Sequence, residues 1–181
     1  MKVIGLCGSS GSGKTTLAEG LIQALKAAGC WVSVIKHAHK HFDIDRPGKD
    51  SYRHREAGAF EVLVANNHRF ALMREFGAEQ EPSVHQLIAE LADLSAAGFE
   101  HWVIVEGFKH ADLPKVEVWR AAHDKPLIFP NDPFVVAVAS PDPLPVETGL
   151  PVLDLNDPAA IAAFLRQDAA RYDYVPPEPC R

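Results

Sequence analysis

Eight consecutive residues, Gly8-Ser9-Ser10-Gly11-Ser12-Gly13-Lys14-Thr15, fit the pattern G-x-x-x-x-G-K-[ST] at every position. The glycines let the backbone turn tightly enough for successive N–H groups to converge on one anion. A helix starting at Lys14 would add the positive end of its dipole. Lys14 supplies a mobile charge for the β- and γ-phosphates, and the Thr15 hydroxyl a ligand for Mg²⁺. The bland alternative is a glycine-serine turn that caps a helix. Context favours the phosphate loop, because an apolar strand precedes it and helical spacing follows. Such a site also needs a carboxylate at the end of a neighbouring apolar strand. Trp102-Val103-Ile104-Val105-Glu106-Gly107 offers Glu106, with Gly107 allowing close backbone approach. Asp43, Asp45 and Asp50 cluster in the polar loop after the second strand. Of these Asp50, beside Pro47-Gly48-Lys49, is the preferred metal-binding or water-orienting residue, with a solvated charge as the alternative.

Other polar residues carry weaker signals. His37, His39 and His41 alternate, which on an extended segment puts them on one face, as metal ligands would be, with Asp43 or Asp45 to complete a set. Loop histidines beside lysines are more often solvated. Arg53 and Arg55 could contact an anion or line the outer face of a helix, and Arg69 is undecided. Cys7, Trp102 and Trp119 read as core. The Asn-Lys-x-Asp guanine signature is absent. Asn131-Asp132 and Asp142 flank the strand Val135–Ala139, where a base-reading carboxylate could sit, so adenine and guanine stay unseparated by residue chemistry. No Ser-His-Asp elbow and no glycosidase-type carboxylate pair can be placed.

The elements that must position these groups follow from hydrophobic spacing. Lys2–Cys7 and Trp31–Ile35 read as strands, joined by a helix with Leu17, Leu21, Ile22 and Leu25 on one face. This is a βαβ unit with parallel pairing and a right-handed crossover. Asp50 is placed to cap a short helix running to Ala59. Glu61–Ala65 and Arg69–Arg74 form a hairpin about Asn66-Asn67-His68. Ser83–Ala96 is an amphipathic helix through Val84, Leu87, Ile88, Leu91 and Leu94. Trp102–Val105, Val116–Trp119, Val135–Ala139 and Val152–Leu155 are further strands. Asp157-Pro158 opens a last helix over Ala159–Ala170. The fold class is α/β: one doubly wound, mostly parallel sheet with helices on both faces, as in P-loop NTPases. One domain spans residues 1–175, with a frayed tail at 176–181.

Composition sets outer limits. The 181 residues are 47% hydrophobic and 23% charged, which excludes a wholly disordered chain. No stretch approaches ~18 uninterrupted apolar residues, so no membrane span is expected. The net charge of -6 argues against a broad nucleic-acid-binding face, although a local anion site remains compatible with it. Three cysteines without a CxxC pair fit a reducing compartment. The N-terminal apolar run is too brief for a signal-peptide core, so a cytoplasmic location is expected.

Over most of its length the sequence resembles the MobB family of molybdopterin-guanine dinucleotide biosynthesis proteins. The resemblance is carried by GSSGSGKTTL (Gly8–Leu17), IKHAHKHFDIDRPGKDSYRHREAGA (Ile35–Ala59), VIVEGFKH (Val103–His110) and PKVEV (Pro114–Val118). The phosphate-loop motif is shared by many families, whereas DIDRPGKDSYRHREAGA followed by VEGFK is far more specific. The resemblance implies a small homodimer that binds GTP and Mg²⁺, has weak GTPase activity and assists the guanylyltransferase that attaches GMP to molybdopterin. It implies phosphate contacts from Gly11, Ser12, Gly13, Lys14, Thr15 and Thr16, with Gly8 and Ser10 in the same loop. Lys49, Asp50, Glu106 and Gly107 would complete the nucleotide site, and Thr15, Asp50 and Glu106 the metal site. The family places an aspartate directly after a serine, whereas here Pro141 separates Ser140 from Asp142. Two other classes compete. One is a small-molecule kinase using Arg53 and Arg55 as phosphoryl clamps, although no helical lid is evident. The other is a non-catalytic metal-delivery module built on His37, His39 and His41.

Overall fold

The computed structural model describes residues 1–38, 42–77, 80–92 and 98–177. By compactness the chain forms two units, Met1–His37 with Ser83–Arg181, and Ala38–Pro82, where the sequence reading drew no internal boundary. The first unit is built on six strands: β1 (Lys2–Cys7), β2 (Trp31–Lys36), β5 (His101–Glu106), β6 (Lys115–Val118), β7 (Val135–Ser140) and β8 (Val152–Asp154). They lie in the order β2-β5-β1-β6-β7-β8, and every pair is parallel.

Side chains alternate across the sheet, as the two-residue period of a strand requires. Ile4 and Leu6 of β1, Trp102 and Ile104 of β5, and Val116 and Val118 of β6 face helices α1 (Lys14–Ala27) and α4 (Pro158–Gln167). Val3, Val103 and Val105 face the other way, onto α3 (Val84–Ala89). Helices therefore cover both faces, as the doubly wound reading expected. Asp157 caps α4 by accepting from Ala160 N at 2.9 Å, with Pro158 in the first turn. That helix stops at Gln167, short of Ala170, and a 3-10 turn over Ala169–Tyr172 buries Tyr172 in the core. A Ser83/Gln86 capping box starts α3. The expected helix to Ala96 ends at Ala89 instead. Leu91 still packs on the core from a turn, and Leu94 lies outside the described residues. Among the described residues no helix is long and apolar enough to cross a membrane.

The second unit holds α2 (Asp50–Glu56) and an antiparallel hairpin of β3 (Glu61–Ala65) and β4 (Phe70–Arg74). Asp50 is not the cap of α2. Lys49 holds that position, extended (φ -79, ψ 161), with its carbonyl accepting from Arg53 N at 3.0 Å. Asp50 is the first helical residue, where a carboxylate complements the helix dipole.

Away from α1, the centre of the sheet buries two charged side chains, Lys115 and Glu117. Gly5, beside Lys115, leaves room for the lysine stem, since a Cβ there would lie 2.7 Å from Lys115 Cγ. The ammonium uses all three protons, donating to Asp132 Oδ2 at 2.6 Å, Ala111 O at 2.7 Å and Lys109 O at 3.0 Å. Glu117 accepts from Ile128 N at 2.7 Å and Phe129 N at 2.9 Å. Burial pushes its carboxyl up, and those two backbone bonds pull part of the way back. The buried Cys7 thiol is pushed up to about 12 by burial and by Glu117, so this cysteine stays protonated and serves packing.

Removing one member of a buried ion pair leaves the other uncompensated. We expect Lys115→Met to cost about 3–5 kcal/mol in urea unfolding, and Lys115→Met/Asp132→Asn to recover part of that loss. An unchanged midpoint in the single variant would show that the pair contributes little.

Candidate functional site

In a parallel sheet all strands end at the same edge, and here that edge gathers the chemistry. The loop Gly8–Gly13 follows β1 and opens α1. Gly8, Gly11 and Gly13 have φ of 135, 80 and 106. Gly8 is the most constrained, because a Cβ there would fall 2.2 Å from the Val118 carbonyl oxygen of β6. The loop is held from β6 as well: Arg120 Nε donates to Ser12 O at 3.0 Å, and His123 Nε2 to Gly11 O at 3.1 Å. Lys14 lies over the loop, its ammonium donating to Ser9 O at 2.7 Å and Gly8 O at 3.1 Å. Burial pushes the Lys14 ammonium down, against the pull of Glu106.

Glu106 reaches this loop because of strand register. It shares a face of β5 with Trp102 and Ile104, the face that packs on α1. Lys36, the last residue of β2, lies opposite Glu106 in register and so projects to the same side. The first turn of α1 delivers Thr15 to the same point. Thr15 Oγ1 donates to Glu106 Oε1 at 2.8 Å, Lys36 Nζ donates to the same oxygen at 2.7 Å, and Lys36 Nζ is 3.4 Å from Thr15 Oγ1. Burial works to raise the Glu106 carboxyl, but the hydrogen bonds from Lys36 and Thr15 outweigh it and hold the group below the usual range. Gly107 follows with φ 111, and a Cβ there would lie 2.5 Å from His37 Cβ, so only glycine lets the chain pass.

Of the residues singled out in the sequence, the structure brings together Lys14, Thr15, Glu106 and Gly107 at the mouth of the loop. Thr16 follows in α1, and Ser12 is wholly buried in the loop. Lys49 and Asp50 belong to the second unit, where Asp50 is exposed and 3.8 Å from Arg53. Asp43 and Asp45 are engaged with Arg55, at 3.1 and 3.3 Å, and Glu75 takes Arg55 Nε at 2.6 Å. Arg55 is therefore committed to three carboxylates and is no phosphoryl clamp. His37 packs on the Phe108 ring, while His39 and His41 lie outside the described residues. Among the described residues no cluster of three His, Cys, Asp or Glu could hold a metal. Asp132 cannot read a base at this edge, since it precedes β7 at the opposite end of the sheet and is paired to Lys115. Asp142 lies at the correct edge, its Oδ2 accepting from Ala121 N at 3.0 Å, which ties the turns after β6 and β7 together. Sequence reasoning missed Lys36, Arg120 and His123. Their only signal is position: Lys36 ends β2, and Arg120 and His123 lie just past the end of β6.

The sequence profile described as MobB, molybdopterin guanine dinucleotide synthesis protein B, matches residues 3–141. A molybdopterin-guanine dinucleotide biosynthesis adapter protein of Escherichia coli (strain K12) is 43% identical over 157 residues, covering 86% of each chain. The protein of the same description from Haemophilus influenzae is 42% identical over 164 residues, covering 90% of this chain and 86% of its own. The crystal structure of a MobB protein homolog from Bacillus stearothermophilus superposes with a TM-score of 0.65 at 24% identity. That match covers 94% of this chain and 99% of the other, and it supports the same fold.

A carboxyl held low in the folded state contributes stability that is present above its unfolded pKa, about 4.3, and is lost as pH falls through the folded value. We expect Glu106→Gln to remove that component, so that its thermal stability falls less steeply than the wild type's on acidification below about pH 4.3. Parallel curves in melts across the acid range would show that Glu106 is not held low.

Proposed function

The chain belongs to the MobB family, and from that premise we propose that it is a GTP-binding adapter in molybdopterin guanine dinucleotide biosynthesis. The observation that carries the reading is the meeting of Lys14, Thr15 and Glu106, with a 2.8 Å bond from hydroxyl to carboxylate at the mouth of a glycine loop. Gly8, Ser10, Gly11, Ser12, Gly13, Lys14, Thr15 and Thr16 surround the triphosphate. Lys49, Asp50 and Gly107 contribute further contacts.

The donors at the mouth suit Mg²⁺, being a hydroxyl and a carboxylate, both hard oxygens. A cationic nitrogen already rests on this pair in the form of Lys36, which is direct support for a cation position. Thr15 and Glu106 would hold the ion, with Asp50 as a third contributor. When bound, it neutralises charge on the phosphate oxygens. Lys14 leaves the Ser9 and Gly8 carbonyls to pair with the bridging region, and the loop amides fix the phosphates in line. Asp50 or Glu106 orients the attacking water. Positioning and electrostatics carry the reaction, which makes turnover slow. The partner in this reading is the guanylyltransferase that joins GMP to molybdopterin, and the setting is the cytoplasm.

The homodimer is supported by one face of the hairpin. Leu63 and Leu72 are directly opposed there, Phe70 is adjacent, and all three are exposed on a two-stranded sheet that is marginal alone. The kinase reading loses Arg55 to its carboxylates, and among the described residues no His, Cys, Asp or Glu cluster favours metal delivery.

We expect Lys14→Ala to weaken GTP binding by at least tenfold in calorimetry with the fold intact, and ATP to compete poorly with GTP in the wild type. Asp50→Asn should slow single-turnover hydrolysis at near-normal binding. Unchanged affinity in the first variant would remove the phosphate assignment, and full activity in the second would remove the role of Asp50. By light scattering, Leu72→Asp should shift a dimer towards monomer; a wild-type monomer would end the dimer reading.

A further inference from the structure

Lys36 has no counterpart among the groups that a phosphate loop requires, yet it occupies the most sensitive position in the site. Its ammonium is 2.7 Å from Glu106 Oε1 and 3.4 Å from Thr15 Oγ1, the two oxygens that the proposed reading gives to the metal. The placement is fixed by the backbone, since Lys36 and Glu106 are register partners on adjacent parallel strands. The two side chains differ sharply in their freedom. That of Glu106 is 11% exposed and anchored by Thr15, whereas that of Lys36 is 55% exposed and can swing into water with little loss of buried surface.

We propose that Lys36 is a positioning residue that sets how readily a divalent cation enters the Thr15–Glu106 pair, its ammonium holding the cation's place until the metal displaces it. This rests on the reading of the site as one for a magnesium nucleotide. An ammonium at hydrogen-bond distance and a divalent ion bound at about 2.0–2.1 Å to one carboxylate oxygen repel each other across a few ångströms, so each weakens the other's hold. Metal entry is thus a competition, and the lysine raises the metal concentration needed to fill the site. Removing the lysine does not disorder the pair, because the Thr15–Glu106 bond is direct. The same ammonium prevents the buried carboxylate from standing uncompensated when no metal is present.

The test is GTP binding by calorimetry over a range of Mg²⁺ concentrations, for the wild type, Lys36→Met, Lys36→Arg and the control Lys26→Met, whose lysine is exposed near the end of α1. In Lys36→Met the half-saturating Mg²⁺ concentration should fall about tenfold, with GTP affinity at saturating Mg²⁺ unchanged. Lys36→Arg and Lys26→Met should stay near the wild-type midpoint. An unchanged or raised midpoint in Lys36→Met, or an equal fall in Lys36→Arg or Lys26→Met, would overturn the proposal while leaving the nucleotide site standing. A selective loss of GTP over GDP affinity in Lys36→Met, without a lowered midpoint, would overturn it too and make the lysine a phosphate contact. If wild-type protein binds no GTP at any Mg²⁺ concentration, both the proposal and the reading beneath it fail.

Discussion

The parallel register of β2, β5 and β1 is the constraint on which the proposed nucleotide edge depends. It sets Lys36 opposite Glu106 and Leu6 opposite Glu106 on the other side, so three strand ends are level where α1 begins. A slip of one residue in β5 would turn Glu106 to the opposite face and bring Val105 towards Thr15. The apolar residues of β5 prevent that slip, because Trp102 and Ile104 must face α1 for the core to close. Burial of two large side chains thus fixes the direction of a carboxylate at the end of the same strand.

The back of the sheet solves a different problem. Lys115 and Glu117 are fully enclosed, but neither relies on the other. Lys115 is satisfied by Asp132 and two carbonyls, and Glu117 by two amides of the turn before β7. Each buried charge therefore holds a loop: Lys115 the segment after Gly107, and Glu117 the turn at residues 128–129. A buried charge whose remaining hydrogen-bond sites are filled stabilises one arrangement and penalises the others. The segment that follows the site carboxylate is fixed in this way from beneath.

How much was legible in the sequence depends on whether a signal is local. The glycine loop and Glu106-Gly107 could be read because their residues are consecutive and each type has a distinct physical reason. The sheet and its order of elements followed from apolar runs. Lys36, Arg120 and His123 were not legible, since their contacts arise only when strands far apart in sequence come into register. The α3 helix was overextended because Leu91 keeps the helical spacing and still packs, although the backbone has already turned after Ala89. Asp50 was placed one residue early for a related reason: Pro47-Gly48 extends Lys49, and its carbonyl rather than an aspartate side chain starts the helix. Asp132 misled because nearness to a strand in sequence does not say at which end of the sheet it lies.

The strand carrying the glycine loop is secured at its far end too. Lys2 Nζ meets Asp173 Oδ1 at 2.7 Å, Tyr174 N donates to Met1 O at 3.0 Å, and the Tyr174 hydroxyl is 2.8 Å from His85 Nδ1. Paired with β5 from Lys2 to Leu6 and with β6 from Gly5 to Cys7, and stapled at both tips, β1 has no route by which it can peel away on its own. Its amide protons can then meet solvent only when the whole unit opens, so the rigidity of the glycine loop and the global stability of the unit become one quantity.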